Sequence, residues 1–155
     1  MCWQCDHPGK TLDDYLALIR ETIAAHGWAV QHVEDDRRPF SYTVGLHARG
    51  LPELLVTGLP TKQAAWLLNL FAKRMVAGLR PVPGEQLVLP ASTRVELVVV
   101  EHPDAHMGIA VAIGGYDVRA VQLVWADGRG RWPWVPDFDD GRRRQPVLGA
   151  RRTHA

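Results

Sequence analysis

The chain has 155 residues, of which 46% are hydrophobic and 23% are charged, and its formal net charge is +1. This size and composition are typical of one soluble domain that needs no disulfides, and the near-neutral charge argues against general nucleic-acid binding. No apolar stretch reaches the roughly 20 residues of a membrane span, and the N-terminus does not resemble a secretion signal. We therefore expect a cytoplasmic protein, and its Arg-, Ala- and Gly-rich composition is typical of bacteria with GC-rich genomes.

We divide the chain into three parts. Residues 1–10 form an N-terminal segment with a Cys-x-x-Cys motif, and residues 11–141 form a single domain. Residues 142–155 form a basic tail that we expect to be flexible. Two alternatives for this tail are a nucleic-acid-binding arm and a segment that folds back on the acidic residues just before it.

The domain begins with a predicted helix at Thr11. Thr11 and Asp14 resemble a capping box, and Gly27 is suited to a left-handed helix end. Between these ends, apolar residues recur at helical spacing: Leu12, Leu16, Ile19 and Ile23. Residues 28–33 follow as the first predicted strand.

The stretch from Pro39 to Pro60 predicts the central hairpin of a sheet. Residues 40–46 alternate between larger apolar and small side chains, which is typical of a strand with one buried face, and residues 54–57 form the second strand. Thr61 is the predicted cap of a second helix that ends at Gly78. Its apolar stripe comprises Ala64, Leu67, Leu68, Phe71 and Met75.

The second half of the domain contains four more predicted strands. They cover residues 86–89, 94–100, 109–113 and 118–125. Because helices are few and the strands are joined by short turns, we predict an α+β fold. In this fold a mainly antiparallel sheet packs against two principal helices.

Several spaced blocks resemble the uncharacterised bacterial family DUF4262. These blocks are His26-Gly-Trp28, residues 40–46, residues 52–60 and residues 122–134. The resemblance extends from about His26 to Leu148 and implies no assigned activity. The chain departs from the family pattern at two places: His-Pro-Glu is Leu51-Pro52-Glu53 here, and Trp-Pro-Asp is Trp125-Ala126-Asp127. A histidine at position 51 is therefore not essential in this protein.

The N-terminal segment contains a candidate zinc site formed by Cys2, Cys5 and His7. Two thiolates two residues apart can chelate one ion, and the imidazole can supply a third tetrahedral ligand. A fourth ligand must come from elsewhere, and a second Cys pair is absent from the sequence. The alternatives are a solvated segment without function and a redox-active pair.

Histidines in the domain provide candidates for acid–base or metal chemistry. If Pro103 opens a helical turn, His102 and His106 face the same side, with Asp104 as an acidic partner. His26 is a further catalytic candidate at the end of the first helix. The alternative is that these histidines have only structural roles, such as binding carbonyl groups at helix ends.

The late aromatic block supplies a candidate ligand or partner surface. We expect Trp125 to be buried and Trp132 and Trp134 to line a concave surface, because Pro133 and Pro136 keep this segment extended. The alternative is a structural cap over one end of the sheet. The sequence contains no nucleophile elbow, no phosphate loop, and no nucleotide or flavin motif, and the serines have no recognisable base partner.

These patterns predict a small binding or regulatory module that holds a transition metal, with zinc the expected ion. The alternative is a small metal-dependent or acid–base enzyme, of a hydrolase-like kind, with a pocket near His26, His106 and residues 125–134. In either case the partner is an unknown small molecule or protein, and we expect neither nucleic-acid nor membrane binding.

Overall fold

A computed structural model describes residues 6–34 and 38–152. Within these ranges the helices are α1 (Leu12–His26), α2 (Thr61–Val76), α3 (Pro103–His106) and α4 (Gly108–Gly114). The strands are β1 (Ala29–Val33), β2 (Phe40–Val44), β3 (Glu53–Thr57), β4 (Gln86–Leu89), β5 (Thr93–Val99) and β6 (Ala120–Trp125). No helix in this part of the chain is both long and apolar enough to cross a membrane.

The described strands form one mixed sheet of six in the order β1-β2-β3-β6-β5-β4. Every neighbouring pair is antiparallel except β3 and β6, which are parallel at the centre of the sheet. The α+β class and the mostly antiparallel pairing are therefore confirmed. The parallel pair arises because β6 lies between β5 and β3, the second strand of the earlier hairpin.

Helix α1 begins and ends where its capping residues predict. The Thr11 hydroxyl accepts a hydrogen bond from the Asp14 N–H at 3.2 Å, and the Asp14 carboxylate accepts one from the Thr11 N–H at 2.8 Å. Gly27 adopts the left-handed conformation that ends the helix. Helix α2 differs, because it begins directly after Pro60 and Thr61 provides no side-chain cap.

Both faces of the central strands are covered, so the predicted single buried face of β2 was wrong. Helix α2 packs Leu68 and Phe71 on one face of the sheet, against a core that includes Leu54 of β3. On the other face, Ile19 of α1 and Ala110 of α4 join a second core with Tyr42, Val44 and Leu55. Ser41 and Thr43 are consequently buried as well.

Residues 109–113 form part of helix α4, and the prediction of a strand there was wrong. Met107 and Ala110 are buried at a spacing of three residues, which matches one face of a helix. The Ile109 N–H donates to the Tyr42 hydroxyl at 3.0 Å, so the start of α4 is attached to β2. A short apolar run has no periodicity that distinguishes a strand from a buried helix.

The turn between β2 and β3 is held by the buried carboxylate of Glu53. It accepts hydrogen bonds from the Thr43 hydroxyl and from the backbone N–H groups of Gly45, Leu46 and His47, at 2.9–3.2 Å. Burial raises the pKa of Glu53, and these four donors oppose that shift. The Glu53 carboxylate therefore accepts the hydrogen bonds that backbone carbonyl groups would accept in a tight hairpin.

The C-terminal segment is packed on the sheet as far as the structure describes it, which corrects the prediction of a flexible tail for residues 142–152. The buried side chains of Thr57 and Gln122 both donate to the Pro146 carbonyl, at 2.8 and 2.9 Å. The Leu148 N–H in turn donates to the Gln122 side chain at 2.8 Å. Gly149 passes so close to the sheet that an added Cβ would lie 1.9 Å from the Val99 carbonyl oxygen. Buried polar side chains of the sheet thus obtain their partners from this segment.

Candidate functional site

The loop after β6 is organised around the carboxylate of Asp127. It accepts hydrogen bonds from the Arg129, Arg131 and Asp139 backbone N–H groups at 2.8–3.0 Å, and from the Arg131 guanidinium at 2.8 Å. Arg131 also forms ion pairs with Asp137 and Asp140. These contacts bring the two ends of the 127–140 loop together.

The same contacts determine the charge of Asp127. Burial alone would raise its pKa, but the N–H groups of Asp139 and Arg131 and the Arg131 guanidinium outweigh burial and lower the pKa to about 2. Asp127 is therefore ionised at neutral pH, which is the state that four hydrogen-bond donors require.

Trp125 and Phe138 form the base of the region that this loop encloses. Both side chains are buried, as predicted for Trp125, and their ring centroids lie 5.4 Å apart. The Trp125 indole donates to the Thr57 carbonyl at 2.8 Å, and its backbone N–H and carbonyl both bond to the Gln145 side chain. Gln145 thus pairs with the end of β6 as a neighbouring strand would.

Trp132 and Trp134 are half-buried and stack on each other, with ring centroids 5.4 Å apart and an interplanar angle of 5°. The Arg151 guanidinium carbon lies 3.5 Å from the centre of the Trp134 ring. Arg151 also donates two hydrogen bonds to the buried carboxylate of Glu96, at 2.8 and 3.0 Å. The Trp134 indole is therefore held between elements from two distant parts of the chain.

A cleft of about 460 Å³ lies beside Trp134. Its apolar lining is supplied by Pro133, Trp134, Val135, Pro136, Phe138 and Pro146. Its polar lining is supplied by Arg38, Arg143 and Gln145. The prediction that Trp134 lines a concave surface agrees with this geometry, whereas Trp132 is not part of the lining and supports Trp134 from the side.

The position of Gly58 shows how closely the wall of this cleft approaches the sheet. Gly58 follows β3 with a positive φ of 79°, and an added Cβ would lie 2.5 Å from the Arg144 carbonyl oxygen. Only glycine provides both this backbone conformation and this clearance. The segment after Arg144 can therefore cross the end of β3 and close one side of the cleft.

The sequence of much of this region matches a known protein family. The sequence model of the family described as "Domain of unknown function (DUF4262)" matches residues 22–139, which is more than half of the chain. The chain belongs to the DUF4262 family. The DUF4262 match includes Arg38, residues 133–136 and Phe138 of the cleft but ends before Arg143, Gln145 and Pro146. Neither the curated proteins nor the solved structures contained a match to this chain.

The predicted zinc ligands of this DUF4262 protein are only partly covered by the structure. Cys2 and Cys5 lie outside the described residues, and His7 is exposed near the start of the described chain. Among residues 6–34 and 38–152, no group of three or more His, Cys, Asp or Glu side chains is arranged to hold a metal ion. The zinc site therefore stays a prediction.

The candidate catalytic residues lie on elements that do not form the cleft. His26 is exposed at the last position of α1, and Pro103 opens the short helix α3 that carries Asp104 and His106, as predicted. Asp104 is exposed and His106 is half-buried. None of these three side chains is part of the cleft lining described above.

One contact that the sequence did not suggest joins His32 and Ser41. The His32 Nδ1 lies 2.6 Å from the Ser41 hydroxyl, because these residues are directly paired across β1 and β2. Burial lowers the pKa of His32, and the carboxylate of Glu34 offsets part of this shift. Ser41 is only 3% exposed, so a substrate cannot reach its hydroxyl, and the pair connects an edge strand to the sheet.

Sequence reasoning also missed the polar residues that complete the site. Arg143 and Gln145 belong to the basic tail, and Glu96 was hidden within a predicted strand. A single charged residue in the otherwise apolar run 95–100 is a signal that could have identified Glu96, since a buried carboxylate requires a partner. No comparable signal marks Arg143 among its neighbouring arginines.

Proposed function

We propose that this DUF4262 protein is a binding module and that the cleft beside Trp134 holds a small organic ligand. The observation that carries this proposal is the cleft itself, with about 460 Å³ of space and a lining that combines one indole, one phenyl ring, and proline and valine side chains with Arg38, Arg143 and Gln145. Ligand sites are typically clefts of about 300–1,000 Å³ with mostly apolar walls and a few polar groups.

The rigidity of the site supports a role in ligand binding more than a role as a structural cap over the end of the sheet. Trp134 is fixed by Trp132 and Arg151, while the loop that carries it is closed by Asp127 and Arg131. A preorganised indole loses little conformational freedom when a ligand stacks or packs against it. A small molecule with a flat, apolar body is the occupant that this surface suits best.

The enzyme alternative receives less support from the arrangement of side chains. Among residues 6–34 and 38–152, the cleft lining contains no histidine, carboxylate, cysteine or serine, which are the groups that usually carry acid–base or nucleophilic chemistry. Zinc binding by the N-terminal cysteines remains part of our proposal as a separate, structural site. We also propose that nucleic acid is not a partner, because Arg142, Arg144 and Arg151 form ion pairs with the protein's own acids.

Titration with N-phenyl-1-naphthylamine, a neutral fluorescent probe, tests the proposed ligand site. We expect saturable binding by the parent and at least tenfold weaker binding by Trp134→Ala, because the variant loses the largest apolar wall of the cleft. Trp66→Ala is the matched control, since Trp66 lies on α2 and is 44% exposed outside the cleft. Equal loss of binding in both variants, or no loss in either, would contradict a site at Trp134.

A further inference from the structure

We infer that the ligand of this cleft is a small apolar or aromatic molecule that carries an anionic group, and that Arg143 binds that group. The inference rests on the proposed function and adds the chemical class of the ligand. A carboxylate, phosphate or sulfonate would satisfy it, because the guanidinium group can donate two parallel hydrogen bonds to any of these oxygens.

Arg143 differs from the two arginines that flank it. Arg142 forms an ion pair with Asp140 at 3.8 Å, and the Arg144 guanidinium donates two hydrogen bonds to the Asp139 carboxylate. Within residues 6–34 and 38–152, Arg143 makes no ion pair or side-chain hydrogen bond. Of these three consecutive arginines, the one without an internal acid is the one that lines the cleft.

The backbone at Arg143 explains why its side chain departs from those of its neighbours. Its φ is 55°, in the left-handed region that side chains with a Cβ seldom adopt. Asp139 and Asp140 are also left-handed, at 51° and 55°. Such a conformation is strained and persists only when surrounding contacts impose it. Here the ion pair of Arg144 and the buried amide of Gln145 supply those contacts on the C-terminal side.

The electrostatics of the cleft favour an anion over a cation or a neutral ligand. Two guanidinium groups, of Arg38 and Arg143, line the cleft, and among residues 6–34 and 38–152 no acidic side chain does so. Arg38 has further contacts of its own, so we assign the anionic group to Arg143. The amide of Gln145 is already bonded to both backbone groups of Trp125, which leaves the Arg143 guanidinium as the side-chain contact for an anion.

Paired probes separate this inference from the proposed function. 1-Anilinonaphthalene-8-sulfonate has nearly the same aromatic body as N-phenyl-1-naphthylamine and adds one negative charge. We expect the parent to bind the sulfonate about tenfold more tightly than the neutral probe, and Arg143→Gln to remove that difference without weakening the neutral probe. Arg143→Lys keeps the charge but not the two parallel donors, so its affinity for the sulfonate should lie between those of the parent and Arg143→Gln.

Arg142→Gln is the matched control, because it removes the same charge one residue away and outside the cleft lining. It should bind the sulfonate as the parent does. If Arg142→Gln and Arg143→Gln weaken sulfonate binding equally, general attraction by the basic segment replaces the specific contact and the inference is wrong. Equal binding of the two probes by the parent overturns the inference while the proposed function stands. If neither probe binds, both are overturned.

Discussion

Arg151 and Trp134 are in direct cation–π contact, with the guanidinium carbon 3.5 Å from the ring centre. The same guanidinium is hydrogen-bonded to Glu96, whose side chain is 2% exposed. The contact therefore links the C-terminal segment, the aromatic loop and strand β5. Arg151, which lies outside the cleft, thus helps to orient Trp134, which lines the cleft.

Arg151→Ala should destabilise the protein by about 1–3 kcal/mol, because the buried carboxylate of Glu96 loses its guanidinium partner. The effect should be smaller than for a fully buried pair, since one third of the Arg151 side chain is exposed. Urea unfolding of the variant measures the change. Arg152→Ala, at the next and exposed position, is the control and should match the parent.

A double-mutant cycle with Glu96→Gln distinguishes this ion pair from the stacking contact. If the ion pair dominates, Arg151→Ala should cost much less in the Glu96→Gln background. An unchanged cost in that background would show that stacking on Trp134 accounts for the stabilisation.

Glu53→Gln should lower the free energy of unfolding by about 2–4 kcal/mol, because an amide nitrogen would face N–H groups that now donate to a carboxylate oxygen. The affected donors are on Thr43, Gly45, Leu46 and His47. Chemical denaturation provides the measurement, with the exposed helix residue Glu21→Gln as control. A stability equal to that of the control would mean that the carboxylate is not needed to hold the turn.

The lowered pKa of His32 predicts a specific pH dependence of stability. The folded state resists protonation of His32, whereas the unfolded chain takes up the proton near pH 6.5. The contribution of His32 is therefore complete above that pH and is lost as the pH falls through 6.5 toward the lower folded-state pKa. Stability should fall more steeply below pH 6.5 in the parent than in His32→Gln.

NMR titration of the histidine ring protons provides a second measurement, with the His32 signal assigned from its absence in His32→Gln. We expect its midpoint to lie below 6.5. A midpoint at or above that value would contradict the buried environment beside Ser41.

The N-terminal motif predicts about one zinc ion per chain, bound through both thiolates. Elemental analysis of protein purified without added metal should show this zinc, and a Cys2→Ser, Cys5→Ser double variant should lack it. His102→Gln with His106→Gln is the control and should retain the metal. Equal zinc in the cysteine variant and the parent would refute the site.

Removal of that zinc should leave the fold intact. Among the described residues, the two hydrophobic cores and the side chains packed against them lie between Tyr15 and Leu148, outside the N-terminal segment. Cooperative urea unfolding should therefore persist in the presence of a chelator. A loss of cooperativity would mean that the metal contributes to folding of the domain.

Local patterns predicted the parts of the fold whose interactions lie close together in the chain. The Thr11–Asp14 capping box joins residues three positions apart, and the β2–β3 hairpin is formed by neighbouring strands. The periodicity of α2 likewise identified Phe71 as a core residue, which is fully buried. The same approach assigned residues 109–113 to a strand by mistake, because their apolar run was too short to have a recognisable period.

The sequence by itself determined the α+β class, most of the elements, the family resemblance and the burial of Trp125. Only the tertiary structure decided how the cleft is made, because its contacts join distant residues. Gln145 pairs with Trp125 across 20 positions, and Arg151 reaches Glu96 across 55. A basic tail has no local pattern that reveals such partners. Whether an arginine there is solvated or forms an ion pair depends on whether the fold brings a buried carboxylate within reach of it.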